Sequence, residues 1–376
     1  MRTVRVERMI MAVAHEDILD FPLDRVPDAT EFIEAAMHWH FSPQTGSPYW
    51  LERAKTLDFD PIRDVHTFDD LRLFPNVVDE FRNVPFEDLI PKGYGDTATV
   101  IGVYESGGTT GSPKRLPFLE EWMARSESWQ EGHMDARGHR RGINWLGVVP
   151  TGPHMFGSWT RRMALRRGGV PYFVDLDPRW VKRCIADGRA DEADRYAEHL
   201  VAQARDVLET QTIGYLVTTP PLLERLVRDD HTAKLINDKV EVVMWGGAHM
   251  DADTRHLLRT EVLPDVDLWG NYGSTMILSG TVERAGLSDE DLCTFDTFSP
   301  HVTFAVIDPD TGDRVAYGER GQVVMNHVSK AMLLPNNLER DTAIRVEAPS
   351  GHVGDSVADV APVATFDDKP VIEGVY

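Results

Sequence analysis

Between Ile143 and Trp269 short apolar runs rich in β-branched residues alternate with stretches of helical periodicity, and this alternation narrows the possible folds sharply. The runs are Ile143–Val149, Val170–Val174, Ile213–Thr218, Val240–Trp245 and Val266–Trp269. Each has the length of a buried strand and is too short for a helix. Within Asp191–Thr210 the residues Ala193, Tyr196, Ala197, Leu200, Val201, Ala204, Val207 and Leu208 share one stripe, the spacing of a helix lying on a sheet. Pro220-Pro221 opens a second helix through Leu222–Val227, where prolines cost nothing because the first amides have no partner, and Asp251–Leu263 supplies a third. Strands that alternate with helices pair mostly in parallel, and ligands collect at the carboxyl ends of such strands. The expected class is α/β, with layered, parallel-rich sheets flanked by helices.

The flanks read differently. Residues 1–95 carry helical patches such as Ala29–Trp39 and Val78–Val84 between aromatic-rich turns, and Thr97–Tyr104 is a strand candidate. After residue 300 the pattern turns to β, with His301–Asp308, a turn at Pro309–Gly312 and a run through Gly321–Met325. The expected division is a helical N-terminal layer at 1–95, an α/β core at 96–300 and a small β-rich subdomain at 301–376. At 376 residues the chain can bury a large core. Thirty-nine Lys and Arg against 61 Asp and Glu leave a net charge of −22, which repels phosphate backbones and anionic lipid. Nucleic acid and membrane surfaces are therefore not expected partners. Cys184 and Cys293 alone make no disulfide framework, so a reducing, cytoplasmic setting is expected. No run approaches the roughly 18–20 apolar residues of a membrane span, and Glu7, His15 and Glu16 interrupt any signal-like stretch.

The strongest local signal follows the Thr97–Tyr104 strand: Ser106-Gly107-Gly108-Thr109-Thr110-Gly111-Ser112-Pro113-Lys114. Its amides and hydroxyls can surround a polyphosphate while the lysine neutralises it. Ser112-Pro113 separates the last glycine from the lysine, so this is not a Walker loop, and the dinucleotide fingerprint is not matched either. The competing reading is a plain surface connector, since glycine and hydroxyl residues are ordinary in loops. His38-x-His40 lacks further spaced ligands and is not assigned a metal.

The Ser106–Lys114 segment resembles the signature loop of the adenylate-forming superfamily of acyl-CoA synthetases, adenylation domains and luciferases. Trp245-Gly246-Gly247-Ala248 and Asn271-Tyr272-Gly273-Ser274-Thr275 are similar to its adenine-site motifs, in the same order and approximate spacing. The resemblance implies that the Gly246–Ala248 backbone lines an adenine, Tyr272 packs on the base with Asn271 and Gly273 beside it, and Thr275 contacts the α-phosphate. It further implies that Lys114 and Thr275 act catalytically, with His154 of Pro153–Gly157 beside the substrate carboxylate. Asp341 of Asn337–Asp341, or alternatively Asp355, takes the place of the ribose-binding aspartate. The texture of His38–Phe41, Thr45–Trp50 and Phe59–Pro61 is more like the phenylacetate-CoA-ligase relatives. Two departures matter. Met276 stands where the family has a Mg²⁺-holding glutamate, and a thioether is a poor ligand for a hard cation. Only 35 residues follow Asp341, too few for the family's mobile C-terminal lid, which is expected to be absent.

A short chain of this kind resembles the adenylating proteins of griseoluteic-acid-type phenazine antibiotic biosynthesis and, more distantly, bacterial acyl-protein synthetases. The resemblance implies ATP-dependent activation of an aromatic, phenazine-like carboxylate to an acyl-AMP, with AMP as final product and Mg²⁺ bound through the phosphates. The acyl group would pass to CoA, to another thiol or to a reductase partner, from a chain acting alone or as a homodimer. Phe156, Trp159, Trp245 and Trp269 are candidates for a flat aromatic pocket, or else core residues. Cys293 is a candidate acyl acceptor, against the commoner role of a buried structural cysteine. The rival from another class is a nonenzymatic nucleotide-binding relative.

Overall fold

The computed structural model describes residues 18–106, 112–363, 365–366 and 369–370. The loop residues Gly107, Gly108, Thr109, Thr110 and Gly111 lie outside them. Among the described residues an eleven-stranded sheet dominates, and it has two halves. In the parallel half, β4 (Pro171–Phe173), β3 (Trp145–Val148), β5 (Tyr215–Thr218), β6 (Val242–Gly246) and β7 (Asp267–Ser274) are neighbours in that order. In the antiparallel half, β8 (Ser279–Glu283), β9 (Thr294–Asp296), β13 (Asp355–Pro362), β12 (Leu333–Glu347), β11 (Arg320–Val328) and β10 (Val302–Ile307) continue the sheet from β7. β10 also bridges back to β13 at Phe304 and Asp355, which curls these last strands around a small core of their own.

Each expected core strand is present. β7 extends through Asn271–Ser274, so these residues do not follow a strand but form its end. Their antiparallel pairing with β8, from Asn271 opposite Val282 to Ser274 opposite Ser279, supplies the extra ladder. A strand that the pattern did not show, β2 (Arg115–Leu119), pairs antiparallel with β1 (Val100–Glu105) as a separate two-stranded hairpin. Pro117 obscured it, because proline is tolerated in strands only at edges or bulges.

Seven helices of eight or more residues are described: α1 (Ala29–Phe41), α2 (Glu120–Ala136), α3 (Met155–Arg166), α4 (Pro178–Ala186), α5 (Ala190–Thr210), α6 (Pro220–Val227) and α7 (Asp230–Lys239). α3 joins β3 to β4, α4 and α5 join β4 to β5, and α6 and α7 join β5 to β6. One expected helix is present with an irregular second half, and one is corrected. Asp251–Leu263 is a short α-helix over Ala252–Leu257 that widens into a π-turn at Leu258–Val262, and Val78–Val84 contains only a 3₁₀ turn at Glu80–Arg82. Asp28 caps α1 by accepting from the amides of Thr30 and Glu31 at 2.9 and 3.0 Å, and its buried face carries Phe32, Ile33, Ala36, Met37 and His40.

The N-terminal layer is fastened to the antiparallel half by ring nitrogens. Trp39 Nε1 donates to the Lys330 carbonyl at 2.8 Å, Trp50 Nε1 donates to the Leu333 carbonyl at 2.9 Å, and His40 Nε2 bonds the Ser329 carbonyl at 2.7 Å. Burial holds the His40 imidazole down at about 4, so it is a neutral packing group. Under the parallel half, Trp145 stacks on Tyr215 at 3.9 Å between centroids, and the Tyr215 hydroxyl accepts from Trp269 Nε1 at 2.9 Å. No helix among the described residues is long and apolar enough to cross a membrane.

Candidate active site

The carboxyl ends of β3, β6 and β7 open onto a cavity of about 500 Å³, with further walls from the β1–β2 hairpin, α2, α3, β12, β13 and the 3₁₀ turn near Asp79. This is where a parallel-rich sheet collects its ligand. The base of the 106–114 loop is closed by a two-way pairing: the Ser106 amide donates to the Lys114 carbonyl at 3.0 Å, and the Lys114 amide donates to Ser106 Oγ at 3.1 Å. The Glu105 amide bonds the Pro153 carbonyl at 2.8 Å, so the hairpin is pinned to the segment that carries His154.

Lys114 is not the solitary cation that the sequence suggested. Its ammonium lies 3.4 Å from Asp79, which also holds the Arg82 guanidinium at 3.0 Å, and Arg82 donates to the Ser112 carbonyl at the end of the loop. Burial draws the Lys114 ammonium below its ordinary pKa, opposed by Asp79 and Glu339. Arg82 and Lys114 stand together at one corner of the cavity with Asp79 between them. Arg82 was missed because nothing in a lone arginine within an irregular aromatic segment signals its destination.

On the opposite wall, Gly247 and Ala248 follow the end of β6, and Gly247 has a φ of +77°, a conformation that L side chains rarely adopt. A Cβ on Gly246 would fall 2.6 Å from the Asn271 carbonyl oxygen, so this close approach of β6 and β7 requires glycine. Tyr272 sits at the edge of Phe295 and Phe304, and its hydroxyl donates to Asp341 on β12 at 2.8 Å. Burial, reinforced by Asp341, pushes the phenol well above its ordinary pKa, so it stays protonated as a donor. The structure brings Asn271, Tyr272, Gly273, Thr275 and Asp341 to this cavity. Asp355 lies elsewhere, 1% exposed, accepting from Arg345 Nε at 2.9 Å and from the Val306 amide at 3.2 Å. That alternative is therefore a carboxylate of the antiparallel core.

Met276 is buried in the cavity wall, but a carboxylate reaches the neighbouring position from another strand. Ser274 Oγ donates to Glu339 Oε1 at 3.1 Å, and Glu339 lies two residues before Asp341 on β12. Glu339, Asp341 and the hydroxyls of Ser274 and Thr275 are hard oxygen donors of the type Mg²⁺ accepts. Among the described residues no group of three His, Cys, Asp or Glu is arranged to hold a metal. Burial, aided by Asp341 and opposed by Lys114, raises the Glu339 carboxyl to about 7. From about pH 4.5 to 7 the unfolded chain ionises this group while the folded chain keeps the proton, so stability falls across that window and levels off above it. Glu339→Gln, which has no proton to lose, is expected to gain on the parent by roughly 1–3 kcal/mol between pH 5 and 8. Urea midpoints at the two pH values measure this, and an unchanged difference would contradict the protonated state.

The remaining wall is apolar with polar insertions. His154 precedes the first turn of α3 and is 8% exposed; burial, then Arg179, pulls its imidazole below the ordinary range, and its Nε2 has no hydrogen-bond partner among the described residues. Phe156, Trp159 and Trp245 line the cavity, whereas Trp269 does not. Successive strand residues face opposite sides, and it is Gly270 that leaves room for Trp245 and Phe295, at 2.8 and 2.9 Å from the position a Cβ would take. Cys293 also lines the cavity, but burial and Glu283 push its thiol well above its ordinary pKa, which disfavours the thiolate needed for acyl transfer.

No family model matches the sequence, and no match to it was found among the curated proteins. Among solved structures, 2-hydroxyisobutyryl-CoA ligase in complex with 2-HIB-AMP and CoA in the thioesterification state superposes with a TM-score of 0.64 at 14% identity, over 91% of this chain and 73% of that one. An open conformation of the same ligase, in complex with 2-HIB-AMP and CoA, gives 0.63 at 13% identity over 94% and 84%. The likeness extends along nearly the whole chain while the sequences have diverged almost completely. The architecture built above, a parallel-rich sheet continued by antiparallel strands, is the fold this chain shares with that CoA ligase.

Proposed function

We propose that the chain activates an aromatic carboxylic acid with ATP, forming an acyl-AMP and pyrophosphate, and passes the acyl group to CoA, another thiol or a reductase partner. The observation that carries this reading is the convergence of Lys114, Tyr272 and Asp341 on one cavity, with the Gly247–Ala248 backbone between them. The carboxylate oxygen attacks the α-phosphorus, a new carboxyl–phosphorus bond forms, and the bond to the β-phosphate bridging oxygen breaks. No base is required, because the acid is ionised at neutral pH. What the protein supplies is position and charge. Tyr272 lies flat against the base, Asp341 takes the ribose hydroxyls, Thr275 faces the α-phosphate, and Lys114 takes up the negative charge of the leaving pyrophosphate. His154, its imidazole kept neutral by burial, stands beside the acid as a group that positions the carboxylate. Mg²⁺ enters with ATP as part of the substrate, neutralising phosphate charge. A phenazine-like acid in secondary metabolism suits the aromatic wall of Phe156 and Trp159.

The direct test is exchange of labelled pyrophosphate into ATP, run with benzoate, anthranilate and phenazine carboxylates, together with trapping of the activated acyl group by hydroxylamine. Acid-dependent exchange and a hydroxamate product are expected with at least one of them. ATP binding without exchange for any of these acids would overturn catalysis and leave a nucleotide-binding protein.

A further inference from the structure

Two charged residues of the N-terminal layer reach the cavity, and their placement follows from the turn that carries them. In the 3₁₀ turn at Glu80–Arg82 the Arg82 amide donates to the Asp79 carbonyl at 3.3 Å and the Asn83 amide to the Glu80 carbonyl at 3.0 Å. Residues three apart stand one above the other in such a turn, so Asp79 and Arg82 share a face, and both line the cavity. The residues between them anchor the turn: Phe81 is 1% exposed with its ring 5.3 Å from Tyr49, and Glu80 accepts from the Tyr49 hydroxyl at 2.8 Å and lies 3.3 Å from Arg53. Arg82 Nε and Nη2 both donate to Asp79 Oδ1, at 3.1 and 3.0 Å, while Nη1 donates to the Ser112 carbonyl. The same Oδ1 lies 3.4 Å from the Lys114 ammonium. One carboxylate oxygen thus ties the arginine that grips the backbone at Ser112 to the lysine two residues later. All three side chains keep accessible surface, 17% for Lys114, 19% for Arg82 and 68% for Asp79.

Resting on the acid-activating reading above, we propose that Asp79 and Arg82 are positioning residues for the pyrophosphate end of ATP, holding the Lys114 ammonium and the Ser112–Lys114 backbone in place for the β- and γ-phosphates. An untethered lysine stem samples many rotamers, and ordering it at the moment of binding weakens the contact it makes. Asp79 orders it beforehand. An ammonium has three donors, so Lys114 keeps Asp79 and still offers hydrogens to phosphate oxygens. Water around the exposed Asp79 carboxylate screens its repulsion of those oxygens. AMP lacks both phosphates, so the brace strengthens the binding of ATP and leaves that of AMP unchanged.

The experiment measures the affinities of ATP and AMP by calorimetry, beside acid-dependent pyrophosphate exchange, in the parent chain, Arg82→Met, Asp79→Asn, Lys114→Ala and the double variant Asp79→Asn with Lys114→Ala. Arg82→Met and Asp79→Asn are each expected to weaken ATP about tenfold while AMP stays within about twofold, because each removes a hydrogen bond between charged groups that serves only the outer phosphates. An ion pair this exposed adds little to stability, so the AMP value also reports an intact fold. Without Lys114, Asp79→Asn is expected to cost ATP less than it does in the parent, since one of the groups it orders has gone. An ATP-to-AMP ratio unchanged in both single variants of an exchanging parent, AMP weakened in step with ATP, or an equal cost of Asp79→Asn with and without Lys114 overturns the inference while leaving acid activation standing. Absence of exchange in the parent with every acid overturns the activating reading and this one with it.

Discussion

Replacing Lys114 with alanine is expected to lower acid-dependent pyrophosphate exchange by about 10²–10³-fold, the usual cost of removing one preorganised charge contact from a transition state. The loss should fall on kcat more than on the KM for ATP, because the pyrophosphate charge grows as the bond to the α-phosphorus breaks. Arg82 softens the effect without cancelling it. A guanidinium held by Asp79 and by the Ser112 carbonyl is committed to supporting the loop, and it lacks the reach of the flexible ammonium. Lys114→Arg separates charge from shape: the net charge is kept, and a partial recovery is expected. Exchange in Lys114→Ala within threefold of the parent would remove the loop from the chemistry.

Glu283→Ala is expected to cost about 3–5 kcal/mol of stability, the range for removing one partner of a buried ion pair. Glu283 is 3% exposed and Arg255 is 2% exposed. One carboxylate oxygen meets Arg255 and lies 3.4 Å from Arg259, while the other accepts from the Gly270 amide at 2.6 Å. Alanine leaves a guanidinium buried without its counter-charge and an amide of β7 without its acceptor. Glu283→Gln keeps an acceptor for Gly270 and should cost less, so the difference between the two variants reads the charge itself. Urea unfolding measures both, and a loss below about 1 kcal/mol for alanine would mean that water or a shifted carboxylate relieves Arg255.

The elements that were legible in the sequence are those whose signal is periodic and local. The runs at 143–149, 213–218 and 240–245 carry enough β-branched and apolar residues to declare strands, and the stripe from Ala193 to Leu208 declares α5. The loop at 106–114 and the Asn271–Thr275 segment were legible through family resemblance, and Ser106, Lys114 and Asn271–Thr275 meet in one cavity. The rest depends on distance in three dimensions. Asp79 and Arg82 sit in a segment with no regular period, and Glu339 lies on a long strand whose partner at Ser274 is 65 residues away. None of these has a local pattern that separates it from a solvated surface residue. β2 was hidden by Pro117, and the extension of β7 by a partner strand that only the folded sheet provides.

The cleft draws on Asp79, Lys114, His154, Tyr272 and Asp341, each contributed by a different stretch of chain, and the Tyr272–Asp341 bond joins the parallel half of the sheet to the antiparallel one. The strand–helix–strand units of the first half can assemble from near neighbours, but this junction must wait until a distant strand has docked, and contacts of long sequence separation form slowly. The junction is therefore expected to close late in folding, and a ligand that touched both sides would act as a clasp, welding together two regions that otherwise assemble apart.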